Sequence, residues 1–267
     1  MWGAIIGDIA GSEYEFMPTK AKDFKIITKI SSFTDDTVMT VAIADALLSL
    51  GENVSNEDMK AVFVSSMQKW GREYSYAGYG GMFASWLRCD DPQPYNSYGN
   101  GSAMRVSSVG WLYDSIEQTR KTARLSAEVT HNHPEGIKGA EATAATIFLA
   151  RTGYTKEEIR DYIEQEFGYN LHRTCAQIRP AYIFKVSCQE SVPEAIIAFM
   201  DSFNYEFALR EAISLGGDAD TQAAIAGGIA EAFYGIPDSF KERATQYLPE
   251  DMLEVIRRFE KQRKNRT

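Results

Sequence analysis

Two acidic turns constrain this chain more than anything else in it. "SSFTDDTVMTVAIADALLSL", residues 31–50, places Thr34, Asp35, Asp36 and Thr37 at the head of an apolar helical stretch. "SLGGDADTQAAIAGGIAEAFYG", residues 214–235, places Asp218, Asp220 and Thr221 at the head of a second, rich in Ala and Gly. Ser, Thr and Asp are favoured N-caps, and acids in a first turn suit the helix dipole. Capping accounts for one such cluster. Two are harder to dismiss, because each opens a helix too apolar to lie on a surface. Val38, Met39, Val41, Ile43, Leu47 and Leu48 ring the first helix almost all round. Both helices are therefore expected inside the fold, with their carboxylates in the interior or in a cleft. Several buried carboxylates repel one another and lose hydration, which is costly unless cations or protons compensate. Few Lys or Arg stand beside these clusters. A bound metal resolves the conflict. Carboxylates and Thr oxygens, without Cys or His, make a hard oxygen shell that selects Mg²⁺, Ca²⁺ or Mn²⁺ over Zn²⁺. The oxygens exceed what one Mg²⁺ needs, so two ions roughly 3.5–4 Å apart fit as well. From the bare residues, metal centre and paired caps both stay open.

The rest of the composition narrows the class. A net charge of −9 argues against a nucleic-acid partner, which needs a clustered basic surface. The basic run "RRFEKQRKNRT" reads as a solvated helix end. Cys89, Cys175 and Cys188 form no CxxC pair, which suits reduced, buried thiols in a cytoplasmic protein. The N-terminal stretch lacks the basic region of a signal peptide, and no apolar run reaches membrane-spanning length.

Helical patterns dominate. The spacing predicts helices over 36–50, 55–70 (N-cap Ser55), 103–113, 115–130, 135–151, 154–167, 191–203, 205–215 and 218–234, with one or two more in 238–262. "DFKIITKI" alternates weakly, as a short extended piece would. Residues 71–102 are rich in Gly, Tyr, Pro and Asn and read as a long functional loop. No linker or repeat divides the chain. It reads as one all-α domain over residues 1–267, and a monomer is expected.

Two smaller signals accompany the acids. "NSYGNGSAMR" precedes a helix, and backbone N–H groups in such turns cradle phosphate oxygens, although a structural turn is the commoner use. Tyr79 and Tyr98 could stack on a nucleobase or sit in the core. His131 and His133, in "THNHP", fit a capping or core role, or a polar contact to a ligand. With three histidines in all, triad chemistry is not expected.

"GAIIGDIAGSEYEF", "FTDDT", "YGNGSAMR", "THNHP" and "GGDADT" occur in the order seen in ADP-ribosylglycohydrolases, and the chain resembles that family from residue 3 to residue 221 and beyond. The resemblance implies a compact multi-helix all-α fold with two Mg²⁺ or Mn²⁺ in a cleft. It assigns the metal to Thr34, Asp35, Asp36, Asp218, Asp220 and Thr221. Glu15 takes the family's glutamate, with Glu13 as the competing assignment, and Asp8 supports the site rather than ligating. The ADP-ribose contacts fall on Gly78, Tyr79, Gly80, Ser97, Tyr98, Gly99, Asn100, Gly101, Ser102 and His131. The catalytic carboxylates are expected among Asp36, Glu15 and Asp35. The implied reaction is hydrolysis of the C1″ glycosidic bond of an ADP-ribosylated substrate, with a protein side chain such as arginine expected first. A small metabolite such as O-acetyl-ADP-ribose, or non-catalytic ADP-ribose binding, are the alternatives. Tyr74, Tyr76 and Asp91 are expected to shape the pocket beyond C1″.

Overall fold

The computed structural model describes residues 1–51 and 54–264. Its regular structure is helical: α1 (Trp2–Gly11), α2 (Asp35–Ser49), α3 (Asn56–Glu73), α4 (Gly81–Arg88), α5 (Gly101–Met104), α6 (Ser107–Leu112), α7 (Ile116–Glu128) and α8 (Pro134–Arg151), then α9 (Lys156–Phe167), α10 (Cys175–Ile178), α11 (Cys188–Met200), α12 (Tyr205–Ser214), α13 (Ala219–Tyr234), α14 (Asp238–Thr245) and α15 (Glu250–Lys264). No strand forms among the described residues, and one isolated bridge pairs Gly99 with Ser187. One hydrophobic cluster runs from Met1 to Phe259.

The centre is α13, which packs against α1, α8, α11 and α12. All its residues from Ala219 to Glu231 are buried. Its small side chains serve the contact with α1. Gly3, Gly7 and Gly11 of α1 face Gly227, Ala223 and the Ala219–Asp220 pair of α13, and the chains run antiparallel. A methyl group on Gly7 would sit 2.1 Å from the Ala223 carbonyl oxygen, closer than real atoms approach. The two backbones therefore touch, and Asp8 is carried to the acidic end of α13. The other acid-headed helix, α2, packs between α1, α3, α6 and α15, and is buried from Asp36 to Ala44.

Local signals set several helix ends. Ser55 accepts from the Asp58 N–H at the start of α3. Thr155 and Glu158 form a reciprocal capping box at α9, which ends on left-handed Gly168. His133 accepts from the Glu135 N–H and caps α8.

The structure corrects four expectations. Residues 23–30 form bends and turns, not an extended strand. Their carbonyls are taken by side chains instead: Arg210 donates to Phe24, Arg243 to Ile27 and Tyr247 to Thr28. The stretch 71–102 is not one loop, because α3 continues to Glu73 and α4 lies within it. The helical spacing of Phe83, Trp86 and Leu87, all buried, is masked in sequence by flanking glycines and tyrosines. The helix expected over 103–113 is two, α5 and α6, broken at Arg105 and Val106. Cys89 is exposed, whereas Cys175 and Cys188 are buried. The basic tail continues α15 to Lys264, and its residues 265–267 lie outside the described part. No helix among the described residues is long and apolar enough to cross a membrane.

Candidate metal centre and substrate cleft

The α1–α13 contact places Asp8 beside the first turn of α2. Asp8 Oδ1 accepts from the Thr34 hydroxyl at 2.7 Å, and Oδ2 accepts from the Thr34 N–H at 2.9 Å. The Thr37 N–H and hydroxyl also donate to Oδ2. One carboxylate thus fastens the whole turn that carries Asp35 and Asp36. Thr34 also caps α2, accepting from the Asp36 N–H at 3.3 Å. The Asp35 N–H donates to the Ala77 carbonyl at 2.8 Å and ties α2 to the Gly78 turn.

The second acidic turn closes on the first. Gly216 adopts φ +68°, a left-handed conformation that glycine reaches without strain, and the chain turns there into Asp218. The Thr221 hydroxyl then donates to Asp36 Oδ2 at 3.1 Å, across 185 residues. Asp8, Asp36 and Asp220 present carboxylate oxygens within 4.8 Å of one another, and Glu15, Asp218 and Asp220 do the same. Asp220 belongs to both groups. Asn100 donates to Asp218 Oδ2 at 2.8 Å.

These acids have no Lys or Arg partner among the described residues. Asp36, Asp218 and Asp220 are buried, and Asp36 Oδ1 has no hydrogen-bond partner. Without a bound cation, burial pushes Asp36 well above the usual carboxylate range, and Asp220, Asp8 and Asp35 add to the shift. Burial raises Asp35 and Asp220 likewise. Asp8 is raised to about 6 by burial, against the four Thr34 and Thr37 hydrogen bonds. Asp218 also rises to about 6 by burial, opposed by its hydrogen bonds. Glu15 reaches about 8, first from burial and then from Asp220 and Asp8. An orphaned buried oxygen in a cluster of mutually repelling hard donors is what a divalent oxygen-preferring cation fits.

A cleft of about 550 Å³ opens over this cluster, a volume suited to a drug-sized ligand. Glu15, Asp35, Asp36, Asp218, Asp220 and Thr221 line one part of it. Gly78, Gly80, Ser97, Gly99, Asn100, Gly101 and His131 line it too. Four of the residues expected to hold the metal or to contact ADP-ribose do not. Thr34 is half-buried, and its hydroxyl donates to Asp8. Tyr79 packs on Phe83 with ring centroids 5.6 Å apart. Tyr98 lies edge-on to His133, and Ser102 is buried, donating to the Gly136 carbonyl. Glu15 faces the cleft, whereas Glu13 accepts from the Thr28 hydroxyl at 2.6 Å. Tyr74 bonds Asp251, Asp91 accepts from Gln93, and Tyr76 is exposed; none of the three lines this cleft. Met39, Tyr95, Met104, Arg105, Phe184 and Val186 do line it and were not anticipated. Arg105 stood inside the quoted "YGNGSAMR", but nothing in its spacing marks a buried cation.

The chain resembles known proteins along its whole length. The family model described as ADP-ribosylglycohydrolase matches residues 1–267. The chain is 29% identical to the ADP-ribosylhydrolase ARH3 of Bos taurus, over 94% of this chain and 89% of that one. It is 26% identical to the ADP-ribosylarginine hydrolase Tri1 of Pseudomonas putida, over 88% and 69%. The solved structure of an ADP-ribosylglycohydrolase-related protein complex shares the fold, with a TM-score of 0.72 at 24% identity, covering 98% of this chain and 95% of that one. Two converging acid-headed helices, the glycine-rich loop and a match along the full sequence lead to one conclusion: the chain belongs to the ADP-ribosylglycohydrolase family.

Proposed function

We propose that this hydrolase cleaves the C1″ glycosidic bond of ADP-ribosylated arginine on a protein, with two divalent cations, Mg²⁺ or Mn²⁺, held by the acidic turns. The observation that carries the reading is the convergence of Glu15, Asp35, Asp36, Asp218 and Asp220 on one part of the cleft, none of them ion-paired to a Lys or Arg among the described residues. Arginine is favoured as the leaving group because Tri1, a relative over most of this chain, is named for ADP-ribosylarginine.

Asp35, Asp36, Asp218, Asp220, Thr221 and Thr34 are the residues that would hold the metal, with Asp8 orienting Thr34. When bound, divalent cations supply the positive charge that lets these carboxylates ionise together, and a Lewis acid for sugar and water oxygens. The remaining work belongs to the chain. The loop from Ser97 to Gly101 borders the cleft and leads into the N-terminus of α5, and a diphosphate docks there in this reading, although the Gly99 and Asn100 N–H groups are taken by Ser97 and Val186. Its position is fixed by Asn100, whose N–H donates to Val186 and whose side chain donates to Asp218. Ribose docked against the acids therefore lies in register with a diphosphate on the loop. Glycosidic cleavage develops oxocarbenium character at C1″, which nearby carboxylates stabilise. Glu15 lines the cleft beside Asp220 and is not assigned to the metal. Its carboxyl is placed to pass a proton to the leaving nitrogen, with Asp36 or Asp35 to accept one from the attacking water.

A panel of substrates ADP-ribosylated on arginine, on serine and as O-acetyl-ADP-ribose, assayed for free ADP-ribose, tests the reading. Release from the arginine conjugate ahead of the others is expected. Binding of ADP-ribose with no release from any substrate would leave a binder, and overturn it.

A further inference from the structure

The cleft also contains a buried cation that the proposed reaction does not use. Arg105 is 1% exposed and has no carboxylate partner among the described residues. One of its terminal nitrogens, Nη2, donates to the Ser126 carbonyl at 2.8 Å and to the Thr130 hydroxyl at 2.9 Å. Its Nε is buried without a partner. Phe83 lies beneath the guanidinium, 5.9 Å from ring centroid to Cζ. Such a group is costly to bury, and removing it from water pulls its pKa down to about 10.

Thr130 carries the effect onward. Its hydroxyl accepts from Arg105 and so has one hydrogen left to donate. Two acceptors are within reach: the Ala127 carbonyl at 3.5 Å and His131 Nδ1 at 2.7 Å. The Ala127 carbonyl lies beyond the about 2.5–3.0 Å of a hydroxyl-to-oxygen bond, which leaves Nδ1 as the better-placed acceptor for that hydrogen. A hydrogen on Nδ1 would instead point at an oxygen already facing a guanidinium. Nδ1 accepting fixes the ring proton on Nε2. Burial and the nearby Arg105 hold His131 well below its usual range, which keeps the ring neutral.

Nε2 faces the glycine-rich loop. A methyl group on Gly101 would lie 3.2 Å from it, and one on Gly99 would lie 3.6 Å away. No protein acceptor takes a hydrogen bond from Nε2 among the described residues. The ring therefore presents a donor to the cleft, backed by a charge two hydrogen bonds away.

We propose that Arg105 is a positioning residue that acts through the Thr130 hydroxyl to hold His131 as the Nε2–H tautomer, so that His131 donates to an anionic diphosphate oxygen of the substrate. The identity of that acceptor rests on the functional reading above; the tautomer does not.

The test is nitrogen NMR of the uniformly ¹⁵N-labelled protein in Mg²⁺ buffer. With three histidines in the sequence, His133→Gln and His172→Gln assign the signals. In the wild type, His131 Nδ1 should be unprotonated and Nε2 protonated. Thr130→Val should mix the two tautomers, and Thr130→Ser, which keeps the hydroxyl, should restore the single form. Arg105→Gln, checked for folding by near-ultraviolet circular dichroism, should shift the balance toward Nδ1–H. In parallel, ADP-ribose affinity should fall about tenfold in Thr130→Val, the worth of one hydrogen bond, and recover in Thr130→Ser. A wild-type ring protonated on Nδ1, or an unchanged tautomer in Thr130→Val or in folded Arg105→Gln, would overturn the relay. Wild-type protein with the expected tautomer but no affinity for ADP-ribose would leave the relay standing and sink the functional reading alone.

Discussion

Asp36 holds the tension of the site in one side chain. Its Oδ2 accepts from Thr221, its Oδ1 has no partner, and four other aspartates, Asp220, Asp8, Asp35 and Asp218, crowd it. Replacing it with Asn keeps the shape and an acceptor for Thr221 while removing the charge. Two opposite effects are expected. Turnover should fall by about 10²-fold or more, because in the proposed reading the sugar is positioned by cations that Asp36 would help to hold. Thermal stability of the chelated protein at pH 8 should rise by a few degrees, roughly what one kcal/mol gives a chain of this size. Calorimetry on chelated wild type and Asp36→Asn checks the second effect; a lower midpoint for the variant would mean that the acids are not in conflict. Most of this site was legible at the residue scale. The acids stand out in the sequence because they open helices too apolar for a surface. Arg105 and the cleft-lining Met39, Met104, Phe184 and Val186 were not, since apolar residues and a single cation look the same in sequence whether they line a cleft or fill a core.

At the scale of elements, the contact between α1 and α13 decides where the acids lie. Gly7 is the point of closest approach, with the Ala223 carbonyl where its side chain would be. Gly7→Ala should destabilise the protein by about 3 kcal/mol, the upper end of overpacking penalties, because backbone cannot step aside as a side chain can. It should also weaken Mg²⁺ binding, since any displacement of α1 moves Asp8 away from Thr34 and Thr37. Urea unfolding and Mg²⁺ titration measure both, and a neutral substitution would show that the helices are not in register as described. The sequence showed a small-residue helix opened by acids. It did not show that the Ala and Gly serve a backbone contact, because the partner glycines lie more than 200 residues away. The helix α4 was hidden for a different reason: its three buried residues are outnumbered by the glycines and tyrosines around them.

For the whole molecule, the acidic cluster makes stability depend on pH and metal together. Asp8 and Asp218 titrate near 6 when folded, against an ordinary value of 3.8, and Glu15 near 8 against 4.5. Between those limits the folded chain holds protons that the unfolded chain has released. The chelated protein should therefore be most stable below about pH 4 as far as these groups are concerned, and lose stability as pH rises through 6 to 8. The loss is on the order of a few kcal/mol, with Glu15 adding less because solvent screens it. Saturating Mg²⁺ should flatten the slope, as cations replace the protons. Thermal midpoints from pH 5 to pH 8, with and without Mg²⁺, measure this. A chelated protein that gains stability across that range would contradict it. The all-helical architecture was readable at this scale because the periodic segments are long. The excursion from Glu15 to Phe33 was not, because its shape depends on carbonyls held by Arg210, Arg243 and Tyr247 from distant helices.

The central claim is that the two acidic turns work through divalent cations to release ADP-ribose. The most direct measurement is free ADP-ribose released from an arginine-ADP-ribosylated protein by the enzyme after exhaustive chelation, and again after Mg²⁺ or Mn²⁺ is returned. Release should stop on chelation and resume on restoration in the wild type, and remain absent in Asp35→Ala and Asp218→Ala. Undiminished release from the chelated enzyme, or activity near wild type in both variants, would contradict the account.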